Sequence, residues 1–535
     1  MLKKYLFIGL FLCQIFAFAQ QDAWVYLLDK ENVATAIANP ITILTQKAID
    51  RKANHGVAID YNDVPVNEAY ITLLKNATGI TVMAKSKWFN AVHVRGSEAD
   101  INNLSGAVYI DFIDFADKSL NARIDTSPVN DKFELENTLT DFVYGNTANQ
   151  VEMIAVDDLH LGDYTGTGMT IAVIDAGFKN VNTMTGFQRL RDAGNLLDGY
   201  DFVDRTSSIY TYQGSTHGTN VLSTMAGYIE NQYVGTAPDA SYYLFRTEDD
   251  GSENPVEESY FVEAAERADS LGVDVINTSL GYIDFDNSSY DYSAADLNGN
   301  KAFITKGANF ASDKGMLVVT SAGNSGSSGV TAPADAARIL TVGGVDSNGV
   351  YWSFSSRGSA NQPTQKPDVV ARGSGVYILN SASVIVQGNG TSFSSPIMAG
   401  GVACLWQALP NKTNTEIMQL VRESASQFGT PDYMLGYGIP NLQLALDNVL
   451  GINTNAKLSF KVFPNPVENR LHIDFPENIE QATIIIYDVL GKQVVNKLIK
   501  VGDSSINLSQ LPSGIYLAKL EGSHQNISSF KLIKQ

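Results

Sequence analysis

Met169-Thr170-Ile171-Ala172-Val173-Ile174-Asp175-Ala176-Gly177 is a nearly unbroken apolar run that stops on an acid and a glycine. A strand with one wet face alternates polar and apolar residues, so a continuous run of this length predicts a strand buried on both faces. Residues 273–276, 316–319 and 339–342 have the same character, and stretches of helical spacing separate them. Together they predict a parallel sheet covered by helices, an α/β domain. Reactive groups of open parallel sheets gather at the carboxyl ends of the strands, which favours Asp175. Alone, Asp-x-Gly after a strand is more often a turn.

Three more segments end in chemically equipped turns. His217 lies in Thr216-His217-Gly218-Thr219, ahead of Val221, Leu222, Met225 and Ala226 at helical spacing, so it starts a helix. Of six histidines only His160 and His217 fall in this domain, and a lone histidine is usually structural. Ser392 lies in Gly390-Thr391-Ser392-Phe393-Ser394-Ser395-Pro396, which leads into an apolar helix over 397–409 with Pro396 in its first turn. Just ahead of that helix, free backbone N–H groups favour a developing oxyanion at Ser392, although a plain helix cap looks the same. Thr320-Ser321-Ala322-Gly323-Asn324 follows the strand 316–319, and the Asn324 amide can serve the same oxyanion.

Taken together, Ile-Ala-Val-Ile-Asp-Ala-Gly, His-Gly-Thr-Asn-Val and Gly-Thr-Ser-Phe-Ser-Ser-Pro resemble the three signatures of the subtilisin (subtilase) serine proteases, in that family's order Asp, His, Ser. Val275-Ile276-Asn277-Thr278-Ser279-Leu280-Gly281 resembles the family's substrate-binding strand. The resemblance covers roughly residues 145–450. It implies a secreted serine endopeptidase with Asp175, His217 and Ser392 as triad and Asn324 as oxyanion donor. It also implies a substrate polypeptide bound extended along Ser279, Leu280 and Gly281, with Ser321, Ala322 and Gly323 as the other wall of the specificity pocket. Alignment on Pro333 puts Thr331 near the pocket base, where many relatives carry Gly. A methyl and a hydroxyl there disfavour the largest aromatics and leave apolar or medium neutral residues before the scissile bond. Two departures, Ala176 where Ser or Thr is usual and Asn220 where a second histidine is frequent, leave the triad intact. No cofactor is required for this chemistry. The family's calcium loop does not carry over to 228–233, and Asp296-Leu297-Asn298-Gly299-Asn300 lacks full EF-hand spacing. A structural calcium is therefore possible but unsupported.

The remaining chain is read outward from this domain. Lys3 and Lys4, the apolar stretch 5–16 and Ala17-Phe18-Ala19 form a secretory signal over residues 1–19. Residues 20–118 alternate strands at 24–28, 80–84, 91–94 and 108–112 with helices at 45–52, 67–75 and 97–104, a small α+β unit. It resembles a protease propeptide, the enzyme's own inhibitor until it is cleaved. A polar linker to about 145 opens the catalytic segment 119–450. Residues 451–535 change to short strands at 471–475, 483–489, 493–499, 505–508, 515–520 and 529–533, a small β-sandwich. Val462-Phe463-Pro464-Asn465-Pro466, Ile486-Tyr487-Asp488-Val489-Leu490-Gly491-Lys492 and Leu511-Pro512-Ser513-Gly514-Ile515-Tyr516 resemble the sorting domain of type IX secretion substrates. That machinery becomes an expected partner, with export through the periplasm to the cell surface or medium.

The 535-residue chain carries a net charge of −20, which excludes general nucleic-acid binding and suits solubility outside the cell. One of its two cysteines leaves with the signal, so Cys404 has no intramolecular partner and reads as a buried small residue. Glu248, Asp249, Asp250, Glu253, Glu257 and Glu258 read as a solvated surface or as a preference for basic substrates.

Overall fold

The computed structural model describes residues 20–121, 142–450, 460–475, 480–488, 492–522 and 527–535. The signal segment and most of the polar linker lie outside the described residues. The chain divides into two compact units between Leu446 and Asp447.

In the first unit seven strands form one sheet in the order Val369–Arg372, Leu340–Val345, Leu317–Ser321, Val275–Thr278, Thr170–Asp175, Ser241–Arg246, Leu196–Asp201. Every neighbouring pair is parallel. The four long apolar runs are four of these strands. The other three carry weaker signals, because Leu196–Asp201 holds two aspartates and a glycine at the sheet edge and Ser241–Arg246 is rich in tyrosine. Thr170–Asp175 pairs with Val275–Thr278 on one side and with Ser241–Arg246 on the other. The chain therefore winds first one way and then the other from this strand, and the crevice beyond the carboxyl ends opens there.

Helices His217–Ala226, Val256–Leu271, Phe303–Asp313 and Thr391–Ala408 belong to the same unit. The last one corrects an expectation. It starts six residues ahead of 397, so Ser392 lies in its first turn rather than before it, and Pro396 lies inside. An internal proline removes the N–H that would serve the carbonyl four residues earlier, here that of Ser392. The helix tolerates this because that carbonyl accepts a hydrogen bond from elsewhere, described below.

The N-terminal segment adds an antiparallel sheet in the order Thr81–Ser86, Ala91–Ser97, Gln20–Leu27, Ile110–Phe115, with helices Gln46–Asn54, Glu68–Lys75 and Glu98–Leu104. The last strand begins two residues later than expected, and Val108 is exposed. This layer shares a core with the parallel-sheet layer. The Trp24 ring stacks on Phe303 with centroids 4.5 Å apart, and its Nε1 donates to Ser259 Oγ at 2.8 Å. The buried Glu266 carboxylate accepts from Ser86 Oγ and from the backbone N–H groups of Lys87 and Trp88.

The second unit is built of two antiparallel sheets. One runs Lys461–Phe463, Arg470–Asp474, Ser505–Asn507; the other runs Gln493–Lys500, Gln481–Asp488, Gly514–Gly522, Ile527–Lys534. Leu471, Ile473, Ile484, Ile486, Ile506, Leu520 and Leu532 fill its core, the alternate residues that a half-buried strand turns inward.

Candidate active site

Asp175 ends the strand Thr170–Asp175 and is fully buried. Its Oδ1 accepts from the backbone N–H of Ala176 at 2.7 Å and faces His217 Nδ1 at 2.7 Å. A carboxylate only accepts, so Nδ1 carries the proton and Nε2 is left as the acceptor. Close approach of the two elements requires Gly218, where a Cβ would meet the Gly177 carbonyl at 2.7 Å and Asp175 Cβ at 2.9 Å. Burial opposes protonation of His217. The charge and hydrogen bond of Asp175, with a pull from Asp250, outweigh it and hold the imidazole above its ordinary pKa.

Ser392 is half-buried in the first turn of Thr391–Ala408. The neighbouring Phe393 ring lies 6.3 Å from the His217 ring, which brings this turn beside the Asp175–His217 pair. Asn324 is exposed, and its Oδ1 accepts from Thr391 N at 2.9 Å and from Thr391 Oγ1 at 3.0 Å. With its oxygen engaged, Asn324 has its amide nitrogen available to donate. Ser279 Oγ donates to the Ser392 carbonyl at 3.0 Å, tying the end of Val275–Thr278 to the serine turn. Gly323 N donates to Thr391 Oγ1 at 3.2 Å, so the segment Ser321–Gly323 borders the same turn. Thr331 sits between the two segments, its hydroxyl against both Gly281 and Gly323. The residues singled out from the sequence thus gather at one end of the sheet.

Reading the sequence did not single out Thr391 or Ser279 as ties between segments. Thr391 stands within a quoted motif, but nothing in a linear pattern tells which oxygen its hydroxyl meets. The acidic stretch is also more than a solvated surface. A cleft of about 620 Å³ runs from His217 and Ser279–Gly281 along Glu248, Asp249, Asp250, Glu253 and Glu257. Tyr282 donates its hydroxyl to Glu248. Burial, then the neighbouring Glu257, pushes the Glu248 carboxyl far above the usual range; burial pushes Glu257 up to about 8.

His160 and Cys404 are structural. His160 is fully buried between Tyr144 Oη at 2.7 Å and the Thr236 carbonyl at 3.0 Å, and burial drives it down to about 4. The buried Cys404 thiol donates to the Thr236 carbonyl at 3.1 Å. Asp296 is engaged by Lys301 and Ser293, and among the described residues no three His, Cys, Asp or Glu side chains gather into a metal cradle.

A parallel sheet with an aspartate at the switch point, a histidine opening one helix and a serine in the first turn of another is the arrangement expected of a serine endopeptidase of the α/β type. Residues 166–438 match the model of the subtilase family, and the chain belongs to that family. Residues 22–132 match the peptidase S8 propeptide domain of Bacteroidota, and residues 461–535 the secretion system C-terminal sorting domain. The chain is 31% identical over 301 residues to Subtilisin E of Bacillus subtilis strain 168, covering 55% of this chain and 70% of that protein. It is 30% identical over 301 residues to Subtilisin of Bacillus pumilus, covering 55% and 97%. The solved structure of MycP1 from Mycobacterium smegmatis matches with 22% identity and a TM-score of 0.46, over 59% of this chain and 89% of that one. With its sorting domain the protein is secreted or displayed at the cell surface. Among the described residues no helix is long and apolar enough to cross a membrane.

Proposed function

We propose that this protein hydrolyses peptide bonds through an acyl-enzyme formed on Ser392, with His217 as general base and Asp175 as its orienting partner. The reading rests above all on the 2.7 Å contact between His217 Nδ1 and the buried Asp175, which leaves Nε2 free to take a proton. Ser392 Oγ attacks the scissile carbonyl carbon and its proton passes to His217 Nε2. The carbonyl oxygen becomes an oxyanion, held by the Ser392 backbone N–H and the Asn324 amide. When the C–N bond breaks, the proton on His217 leaves with the amine. Water, deprotonated by His217, then attacks the ester and regenerates Ser392. Side chains and water suffice, and the family's catalysis draws on no cofactor.

The substrate polypeptide lies extended along Ser279, Leu280 and Gly281, adding a strand by backbone hydrogen bonds. The wall Ser321, Ala322, Gly323 with Thr331 receives the side chain before the scissile bond. In the precursor, residues 1–19 direct export to the periplasm, 20–118 inhibit the catalytic segment 119–450 until cleaved, and 451–535 engage the type IX machinery.

The test pairs wild type with Ser392→Ala. Wild type should hydrolyse casein and be labelled by a fluorophosphonate; the variant should do neither. Equal casein hydrolysis by the two would refute the assignment, as would activity that resists the label and vanishes with a zinc chelator.

A further inference from the structure

The N-terminal segment meets the catalytic segment at two places. One is the shared core, where Trp24, Ala84, Trp88 and Ala116 join a single buried cluster with Phe303 and Ala311. The Trp88 ring stacks on Phe310 with centroids 5.1 Å apart, and the Phe89 ring lies 5.0 Å from that of Phe303. The other is at the amino ends of the parallel strands, opposite the end that carries Asp175. Helix Gln46–Asn54 docks there. Lys47 Nζ donates to Asp274 Oδ2 at 2.7 Å, just ahead of Val275–Thr278, and to Thr170 Oγ1 at the start of the strand that ends on Asp175. Gly272 makes the approach possible: its φ is 80°, and a Cβ there would meet Ala48 N at 2.7 Å. His55 stacks on Trp406 with ring centroids 5.3 Å apart.

Beneath this helix a set of charges is buried together. Arg51 lies 2.5 Å from Asp269, Lys52 lies 2.8 Å from Asp269 and 3.0 Å from Asp63, and Lys314 lies 3.0 Å from Asp63. The side chains of Lys52, Asp63 and Asp269 are wholly buried. Burial opposes ionisation of Asp269. The charges of Lys52, Arg51 and Lys87, which hold its carboxyl below the usual range, all come from the N-terminal segment. Breaking a buried pair by removing one partner is strongly destabilising. Departure of the segment would do this to Asp269 and Lys314 and would strip cover from Phe303, Phe310 and Trp406. Soluble chains rarely expose such patches, and interfaces that resemble a core cut in half are those of permanent partners. Among the described residues none from 20–121 lines the cleft beside His217, so the segment can stay docked while the cleft is open.

We propose that residues 45–63 anchor the N-terminal segment as a permanent subunit, so that hydrolysis of the linker yields an active enzyme of two chains held together without a covalent bond. The inference rests on the reading of 20–118 as a segment cut from the catalytic one. It adds that the cut ends inhibition without releasing the segment.

The experiment uses the full chain, purified after the linker has been cut and then blocked with a fluorophosphonate so that it cannot digest its own subunit. Gel filtration at nanomolar concentration, with intact-mass analysis of the peak, should show both chains at one to one. Lys52→Met leaves Asp269 and Asp63 short of a cation and should speed dissociation of the N-terminal chain by about a hundredfold or more. The double variant Lys47→Ala, His55→Ala trims the docked rim and keeps the buried charges, so it remains as the test if Lys52→Met fails to fold. It should speed dissociation about tenfold. Unblocked samples of both variants should lose casein hydrolysis in step with the loss of that chain. The inference is overturned if the two-chain species takes up no label, or if neither variant speeds dissociation. A labelled enzyme that is a single chain lacking residues 20–118 refutes this inference alone. A labelled enzyme whose linker is never cut refutes the cleavage reading and this inference with it.

Discussion

Ser279 donates its hydroxyl to the backbone carbonyl of Ser392 at 3.0 Å, the acceptor left open because Pro396 has no N–H to offer it. Around this bond Asn277 Nδ2 reaches Ser279 Oγ at 3.4 Å, and Ser395 Oγ donates to Asn277 Oδ1 at 2.8 Å. The strand proposed to carry substrate is thereby linked at two points to the turn that carries the proposed nucleophile. Ser279→Ala should leave the Ser392 carbonyl without its partner and lower stability by about 1–3 kcal/mol. It should also lower kcat/KM about tenfold through misalignment of the serine turn. Thermal unfolding and steady-state kinetics read the two effects separately, and unchanged kcat/KM would remove the positioning role.

Thr391 holds Asn324 by two bonds to one oxygen, so the donor end of the amide is directed by a neighbour of Ser392. Asn324→Ala should lower kcat by about 10²–10³ with KM little changed, a magnitude known for subtilisin itself rather than one obtained from this chain. Thr391→Val keeps the backbone bond and loses the hydroxyl, so kcat should fall about tenfold. Thr391→Ser should restore it, and failure of that rescue would assign Thr391 a packing role alone.

The sheet was legible where its strands are buried on both faces, because short, β-branched apolar runs such as Met169–Ile174 and its counterparts need cover on both sides. Leu196–Asp201 and Val369–Arg372, the two edge strands of this sheet, were not: Asp198 and Gly199 interrupt the first, and the second offers only Val369, Val370 and Ala371 between the charged Asp368 and Arg372. The candidate site was legible through motifs whose order and spacing are distinctive. Its cross-links were not, since Ser279 and Ser392 lie 113 residues apart and meet only when the sheet forms. Pro396 misled for a related reason. A proline inside a helix is excluded by local rules and permitted only by a partner elsewhere.

Protonation of His217 would block its proposed role as base, and Asp175 with Asp250 favours the protonated form. The acid limb of the kcat/KM profile should therefore have its midpoint above the ordinary imidazole value of about 6.5. Asp175→Asn removes the charge and inverts the hydrogen bond, so kcat should drop by about 10⁴ and the residual activity should titrate at lower pH. An acid limb that does not move in the variant would exclude His217 as the titrating base.

Glu258 offers a test of stability away from the chemistry. It is fully buried on Val256–Leu271, and both carboxyl oxygens lie 3.0 Å from the Tyr292 hydroxyl. Burial pushes its carboxyl up to about 7, against a hydrogen bond from Tyr292 and the charge of Lys118 that pull it down. In the unfolded chain the group titrates near 4.5. Between these values the folded state holds a proton that the unfolded state has released, so stability falls as pH rises through this window. The contribution is fully present below about 4.5 and fully lost above about 7. Glu258→Gln is neutral throughout and keeps an oxygen for the Tyr292 hydroxyl, so it should lack this decline. The variant's stability relative to wild type should therefore grow from pH 5 to pH 8, by on the order of 2–3 kcal/mol. Denaturant unfolding of Ser392→Ala and of Ser392→Ala with Glu258→Gln, which avoids self-digestion, measures the difference at each pH. A gap that stays constant with pH would mean that Glu258 is ionised in the folded protein across the range.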